Sequence, residues 1–277
     1  MFFNDRIVFV ELHKTGGTHI GHWLKRLVGG VHEGKHNRVP LDLRNRFIIG
    51  SVRNPWDWYV SLWAYGCGDK GSVRAQTNRR VSPSYLWRQL GSEMGMRLPP
   101  VRCLAEQFAA DLTKPVEKWR KLYADPTSTA NFQEWLRLLF DAERRLDMGE
   151  GYGFSPVHRW GGLMTYRYMK LFSDLGARLY SDPRMGSPDE AMKLFEEARL
   201  VQYVILNEQL EEDLVAALEA SGYSLSDAQR EQVFAAKSSK TNTSHRLPAS
   251  HYYDERSRDL VASREQLVIR AHGYAPP

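Results

Sequence analysis

A strand, a glycine-containing turn and a helix follow one another directly near the start of the chain. The segment Arg6–Leu12 is short, largely apolar and rich in β-branched residues, which predicts a buried strand. Apolar residues then recur at helical spacing between Ile20 and Val28, and the pair Gly29-Gly30 predicts the end of that helix. Between strand and helix lies the turn His13–His19, with the sequence HKTGGTH. This junction favours an α/β fold more strongly than any other feature of the chain.

The turn predicts an anion-binding site. The first backbone N–H groups of a helix have no partner within the helix, and its dipole places partial positive charge at the same end. Gly16 and Gly17 allow the backbone to approach a ligand closely, Thr15 and Thr18 add hydroxyl groups, and Lys14 adds a full positive charge. A phosphate or sulfate group is therefore expected here. The alternative is an ordinary connection in which the glycines serve only the turn.

A second strand–helix junction follows. Phe47–Arg53 predicts a buried strand that ends in a charge, and Asn54-Pro55 is a typical helix start, with the helix expected to run to about Tyr65. Arg53 thus lies at a strand's carboxyl end, where open α/β sheets bind ligands. Ser61 lies eight residues further on and could hold a second anion with Arg53. The alternative is an arginine paired with a carboxylate and a serine that faces water.

Periodicity predicts the remaining elements less sharply. One apolar stripe at helical spacing is interpreted as core and consists of Phe132, Trp135, Leu136, Leu139 and Phe140. Helices are expected over residues 84–90, 131–146, 162–175, 189–200, 209–220 and 254–272, with a further strand over residues 201–206.

Composition excludes several classes of protein. No apolar run approaches the roughly 18 residues that a membrane helix needs, and the amino terminus leads directly into the first strand, so neither a membrane span nor a signal peptide is expected. The formal charge of +5 fits an anionic ligand, but the basic residues are scattered, which argues against nucleic-acid binding. Cys67 and Cys103 have neither metal-site nor disulfide spacing, so a reduced, cytoplasmic setting is expected.

The two junctions together resemble the nucleotide-binding motifs of sulfotransferases that use 3′-phosphoadenosine 5′-phosphosulfate (PAPS), particularly the carbohydrate-type branch. Lys14–Thr18 resembles the family's loop for the 5′-phosphosulfate. The segment Val52–Leu62 is similar to its 3′-phosphate motif, in which an arginine and a serine stand eight residues apart. Glu208–Leu210 resembles a turn of the pattern Glu-x-Leu that often follows a strand in this family. Residues Lys237–Ser250 resemble the carboxyl-terminal loop that closes over the nucleotide, although a plain linker is an equal alternative.

The resemblance implies a single α/β domain over residues 1–277, with a P-loop-like three-layer fold, a central parallel sheet and a helical insertion. Residues 1–66 would bind the nucleotide, 67–188 would form the insertion and acceptor region, and 189–277 would supply the last strand, helices and closing loop. PAPS would be the donor and 3′-phosphoadenosine 5′-phosphate (PAP) the product, without a metal, and the acceptor a hydroxyl or amine of a glycan or glycolipid. The donor-binding residues implied are Lys14, Thr15, Gly16, Gly17, Thr18, His19, Arg53, Ser61, Lys240 and Asn242.

An acceptor hydroxyl requires a general base, and histidine or a buried glutamate has a suitable pKa. The resemblance favours His36, because a Lys-His pair recurs at this position in the carbohydrate-type family, and Glu33 is the second candidate. His32, His19 and His158 are further candidates. For each of them the alternative is an ordinary polar residue without a catalytic role.

Two other functions compete with sulfuryl transfer. The first is a P-loop kinase or NTPase, but its motif needs a lysine after the glycines, whereas Lys14 precedes them. The second is a non-catalytic nucleotide-binding module of the same fold. The presence of Lys14, Arg53 and Ser61 together argues against that module.

Overall fold

The computed structural model describes residues 1–80, 91, 100–236 and 246–277. The chain divides into two compact units, which we call the sheet unit and the helical unit. The sheet unit comprises Met1–Asn54, Arg167–Asp174 and Ala198–Thr243, and the helical unit comprises Pro55–Tyr166, Leu175–Glu197 and Ser244–Pro277. That the chain forms the single domain expected from the sequence stays a prediction.

The sheet unit has an α/β architecture built on five strands. They are β1 (Phe2–Phe3), β2 (Ile7–Val10), β3 (Val31–His32), β4 (Phe47–Val52) and β5 (Tyr203–Leu206), in the order β3-β1-β2-β4-β5. β2, β4 and β5 run parallel, with Val10 opposite Gly50 and Val52 opposite Leu206. β1 pairs antiparallel with both β2 and β3. The sheet is therefore mixed: β2, β4 and β5 form a parallel part, as expected for the central sheet, and the antiparallel strands β1 and β3 were not expected.

The short connection between β1 and β2 explains the mixed sheet. Only three residues separate the strands, whereas a parallel pair needs a crossover of a dozen or more. The Asn4 side-chain oxygen accepts hydrogen bonds from the backbone N–H groups of Arg6 (3.0 Å) and Ile7 (3.1 Å). Asn4 thereby stabilises a tight turn that forces β1 antiparallel to β2.

One face of the sheet is covered by three helices: α1 (Gly17–Val28), α10 (Leu210–Ala220) and α11 (Asp227–Ala235). Ile20 and Leu24 of α1 and Leu214 of α10 are fully buried in a core shared with strand residues such as Phe9 and Ile49. A core of this kind supplies most of a sheet–helix unit's stability, because each buried large apolar side chain contributes roughly 1.5–3 kcal/mol. It holds the amino end of α1 next to the carboxyl end of β2.

The helical unit begins with α2 (Pro55–Cys67), in which ten of thirteen residues are buried. Its aromatic residues Trp58 and Trp63 are completely buried, as are Phe132 and Trp135 of the predicted apolar stripe, which confirms that stripe as core. The other described helices that lie wholly or partly in this unit are α3 (Ser72–Thr77), α4 (Val101–Thr113), α5 (Val116–Leu122), α6 (Thr129–Leu139), α7 (Leu163–Phe172), α8 (Arg178–Ser181), α9 (Pro188–Glu197), α12 (Ala249–Tyr252), α13 (Glu255–Arg264) and α14 (Gln266–His272).

Two helices predicted as continuous are interrupted. The helix expected over 131–146 ends at Leu139 and is followed by a 3₁₀ helix, Ala142–Met148, because Asp141 accepts a hydrogen bond from the Glu143 N–H and starts a new element. The helix expected over 254–272 breaks at Glu265, whose buried carboxylate reaches the amino end of α7. The helix expected over 84–90 lies outside the described residues.

Among the residues that the structure describes, no helix combines the length and the apolar character required to cross a membrane. Cys67 and Cys103 are both free thiols. Burial raises the pKa of the Cys67 thiol to about 12, which keeps it in the unreactive protonated form at neutral pH.

Candidate functional site

The turn between β2 and α1 adopts a backbone suited to anion binding. Lys14 (φ 61°) and Gly16 (φ 83°) both lie in the left-handed region, and Gly16 is the residue immediately before α1. No side chain caps this helix end, and the first intrahelical hydrogen bond is from the Ile20 N–H to the Gly16 carbonyl at 3.0 Å. The N–H groups of the first turn therefore point away from the helix body, as they do where a helix binds an anion.

Gly16 is required by its surroundings, and Gly17 is closely packed. A Cβ atom on Gly16 would lie 2.7 Å from Leu210 Cδ1 and 2.9 Å from Asn207 Nδ2, and its positive φ is strained for other residues. A Cβ atom on Gly17 would lie 3.2 Å from Glu11 Cγ. The turn is thus packed tightly between the end of β2 and the segment that follows β5.

The hydroxyl of Thr15 does not face a ligand, which corrects the expectation that it would donate to the anion. Thr15 is completely buried, and its Oγ1 donates to the Leu12 carbonyl at 2.8 Å. The Ser51 hydroxyl lies 2.7 Å from Thr15 Oγ1. Thr15 therefore joins the turn to β4, and only its backbone N–H remains a candidate for ligand binding. Thr18, in contrast, is exposed in the first turn of α1.

Arg53 meets the turn from the neighbouring strand. It follows β4 directly, and its Nη1 donates to the Lys14 carbonyl at 3.4 Å. The next residue, Asn54, donates its backbone N–H to Glu208 Oε1 at 2.7 Å, which ties the end of β4 to the segment after β5. The structure thereby brings the guanidinium of Arg53 to the same edge of the sheet as the Lys14–Thr18 turn.

Ser61 is buried, and His19 lies beside an acidic residue. Ser61 lies in α2 of the helical unit and is 3% exposed, so it does not face water, and its pairing with Arg53 around a phosphate stays a prediction. His19 lies 3.5 Å from Glu211 Oε1 of α10. Burial lowers the pKa of His19, and the attraction to Glu211 opposes that shift only in part.

The two candidate bases differ clearly in their contacts. His36 stacks on His13 with ring centroids 3.5 Å apart, and its Nδ1 lies 2.9 Å from the Glu11 carbonyl oxygen. A carbonyl oxygen can only accept, so Nδ1 carries the hydrogen and Nε2 bears the lone pair of the neutral ring. Glu33 is exposed, and its backbone N–H donates to the Met1 carbonyl at 2.9 Å. The ring of His36 is thus held in one orientation by two contacts, whereas Glu33 is exposed.

Glu11 is a residue of this site that the sequence analysis missed, because it was interpreted as part of the first strand. It is 2% exposed, and its carboxylate forms a short contact with His32 Nε2. The same side chain lies against Gly17, in the first turn of α1. The signal that could have identified it is an acidic residue at the carboxyl end of a strand, immediately before a basic turn.

The remaining predicted donor-binding residues, Lys240 and Asn242, lie outside the described residues. Within the described ranges, no group of three or more His, Cys, Asp or Glu side chains is arranged to hold a metal ion. The sequence matches no family model, and neither a curated protein nor a solved structure matches the chain.

Proposed function

We propose that the protein is a PAPS-dependent sulfotransferase whose sheet unit follows the P-loop-like three-layer plan. The observation that carries this proposal is the contact between Arg53 and the Lys14 carbonyl. Two cationic residues from separate strand–helix junctions meet at one edge of the sheet, as the binding of a nucleotide with phosphates at both ends requires. The resemblance of both motifs to those of sulfotransferases supports PAPS over other doubly phosphorylated nucleotides.

The turn would bind the 5′ end of the donor and stabilise the charge that develops there. In sulfuryl transfer the acceptor oxygen forms a bond to sulfur while the bond from sulfur to the 5′-phosphate oxygen breaks, and the electron pair leaves with PAP. Lys14 would neutralise that leaving oxygen, and the backbone N–H groups of Gly16, Gly17 and Thr18 would hold the phosphate and sulfuryl oxygens. Arg53 would bind the 3′-phosphate.

His36 would accept the proton of the acceptor hydroxyl at Nε2. The hydrogen bond from Nδ1 to the Glu11 carbonyl and the stacking on His13 fix the tautomer and the orientation of the ring. His13 directly precedes Lys14, so the base would lie beside the group that stabilises the leaving oxygen. The resemblance to the carbohydrate-type branch favours a glycan or glycolipid acceptor. The two free cysteines favour a cytoplasmic setting.

Nucleotide-dependent stabilisation separates this function from the competing ones. We expect PAP to raise the melting temperature, because a ligand at 100 times its dissociation constant adds about 2.7 kcal/mol to the free energy of unfolding. AMP, which lacks the 3′-phosphate, should stabilise the protein much less, and Arg53→Ala should remove most of the difference between the two nucleotides. The measurement is differential scanning fluorimetry over a series of nucleotide concentrations.

Two controls make that result decisive. ATP with Mg²⁺ should give a smaller shift than PAP, and the opposite order would favour a kinase. Arg46→Ala is a matched control, since Arg46 lies just before the same strand and donates to the Asn4 carbonyl instead of the turn. Tight PAP binding without sulfate transfer to any glycan, lipid or phenol would favour the non-catalytic module.

A further inference from the structure

The Glu11 side chain brings a negative charge next to the turn. Its Cγ and Oε2 atoms would lie 3.2 and 3.3 Å from a Cβ atom on Gly17, the first residue of α1. The residue is 2% exposed, so water screens its charge poorly. An anion bound at the first turn of α1 would be repelled by this carboxylate, because like charges a few ångströms apart interact strongly in partly buried surroundings.

His32 is positioned to cancel that charge. Its Nε2 atom forms an ion-pair contact with Glu11 Oε1, and the amino group of Met1 lies 3.5 Å from the same oxygen. The pairing of β3 with β1 places His32 opposite Phe2 and holds the ring within reach of Glu11. A second contact of the ring is with α1, since a Cβ atom on Gly21 would lie 3.6 Å from His32 Cδ2.

We propose that the Glu11–His32 pair sets the affinity of the turn for oxyanions. In this arrangement protonated His32, together with the Met1 amino group, offsets the charge of Glu11, and loss of His32 leaves that buried carboxylate only partly offset beside the bound phosphate or sulfate. The inference rests on the proposed function of the turn. It gives His32 an electrostatic role that differs from that of the general base, for which His36 is proposed.

A double-mutant cycle tests the pair, with the dissociation constants of PAP and of inorganic pyrophosphate measured by calorimetry at low salt and at pH 6, which favours the protonated form of a histidine. His32→Gln should weaken the binding of both ligands by about tenfold, because it removes one of the two groups that offset the charge of Glu11. Glu11→Gln should leave binding unchanged or make it tighter. The double variant should return to within about threefold of the wild-type value, since both charges are then absent.

A purely structural role for the pair predicts a different pattern. In that case both single variants would bind more weakly and the double variant would not recover, which would overturn the inference, as would wild-type affinity in His32→Gln. Asp42→Asn is the matched control, because this exposed acid lies in the connection between β3 and β4, and it should change the dissociation constants less than about twofold. If Glu11→Gln does not fold, the dissociation constants of His32→Gln, compared with those of this control, still test the inference.

The two ligands separate failure of this inference from failure of the proposed function. Binding of pyrophosphate but not of PAP would contradict the assignment of PAPS as the donor. The double-mutant cycle could then still be measured with pyrophosphate. A folded wild-type protein that binds neither ligand would overturn both proposals. Binding of both ligands with unchanged affinity in His32→Gln would overturn the role of the pair alone.

Discussion

Replacing Lys14 by Ala should reduce the rate constant for sulfuryl transfer by about 10²- to 10³-fold, the loss typical when one group that stabilises transition-state charge is removed. Lys14 is the only full positive charge within the turn Lys14–Thr18, and the charge it would stabilise develops on the leaving oxygen. The loss should therefore appear in kcat more than in the affinity for PAP. The measurement is transfer of labelled sulfate from PAPS at saturating donor.

The fold of this variant should be retained. Lys14 has a positive φ, and alanine tolerates that conformation about as well as lysine, so the turn keeps its backbone. Lys25→Ala is the matched control, because Lys25 is an exposed lysine in the last turn of α1, and its removal should change kcat less than about threefold. A Lys14→Ala protein that keeps more than about one tenth of the wild-type kcat would contradict the role given to Lys14.

Replacing Glu265 by Gln should lower the free energy of unfolding by about 2–4 kcal/mol. The reason is that the glutamine amide cannot accept hydrogen bonds from all four donors that surround the fully buried carboxyl group. The Glu265 carboxylate accepts from the Thr165 N–H (2.7 Å), the Thr165 hydroxyl (2.6 Å), the Met164 N–H (3.3 Å) and the Tyr59 hydroxyl. When protonated, the carboxyl group keeps one acceptor oxygen and has a single hydrogen, which the Tyr59 or Thr165 hydroxyl oxygen can accept, whereas the NH₂ group of glutamine would turn two hydrogens toward these donors. Urea unfolding followed by fluorescence measures the difference.

The same carboxylate predicts how stability depends on pH. Burial, opposed only in part by these hydrogen bonds, raises the pKa of Glu265 from its ordinary value near 4.5 to about 7. Between these two values the folded chain holds a proton that the unfolded chain has released. The contribution of Glu265 to stability is thus complete below about pH 4.5 and is lost as the pH rises through about 7.

The stability difference between the wild type and Glu265→Gln should therefore be larger at pH 5 than at pH 8. Glu255→Gln, in the exposed first turn of α13, is the matched control and should alter stability by less than about 0.5 kcal/mol at either pH. An equal stability loss at both pH values would show that Glu265 does not titrate in this range. A loss below about 1 kcal/mol at pH 5 would contradict its role as a buried acceptor.

Local signals predicted both junctions of the site well. The strand expected over 6–12 is observed at Ile7–Val10, and the first helix ends at Val28, as its two glycines indicate. The helix after Asn54 begins at Pro55 and ends at Cys67, close to the expected end near Gly66. In each case the apolar residues at helical or strand spacing lie within a few positions of the capping residues. The local sequence is therefore sufficient to predict where these elements begin and end.

Contacts between distant parts of the chain could not be predicted in this way. The Thr15 hydroxyl was expected to face a ligand, but Ser51 lies beside it in the fold, 36 residues further along the chain. The break in the last helix depends on the approach of Glu265 to Thr165, 100 residues earlier. Strands β1 and β3 contain two residues each, which is too short for an alternating pattern to be recognised.

The most direct test of the account is a crystal structure of the full chain with PAP. We predict that the 5′-phosphate lies on the backbone N–H groups of Gly16, Gly17 and Thr18, and that the 3′-phosphate lies on the Arg53 guanidinium. A nucleotide bound away from the turn, or with its 5′ end on Arg53, would contradict the assignment of one donor to these two motifs.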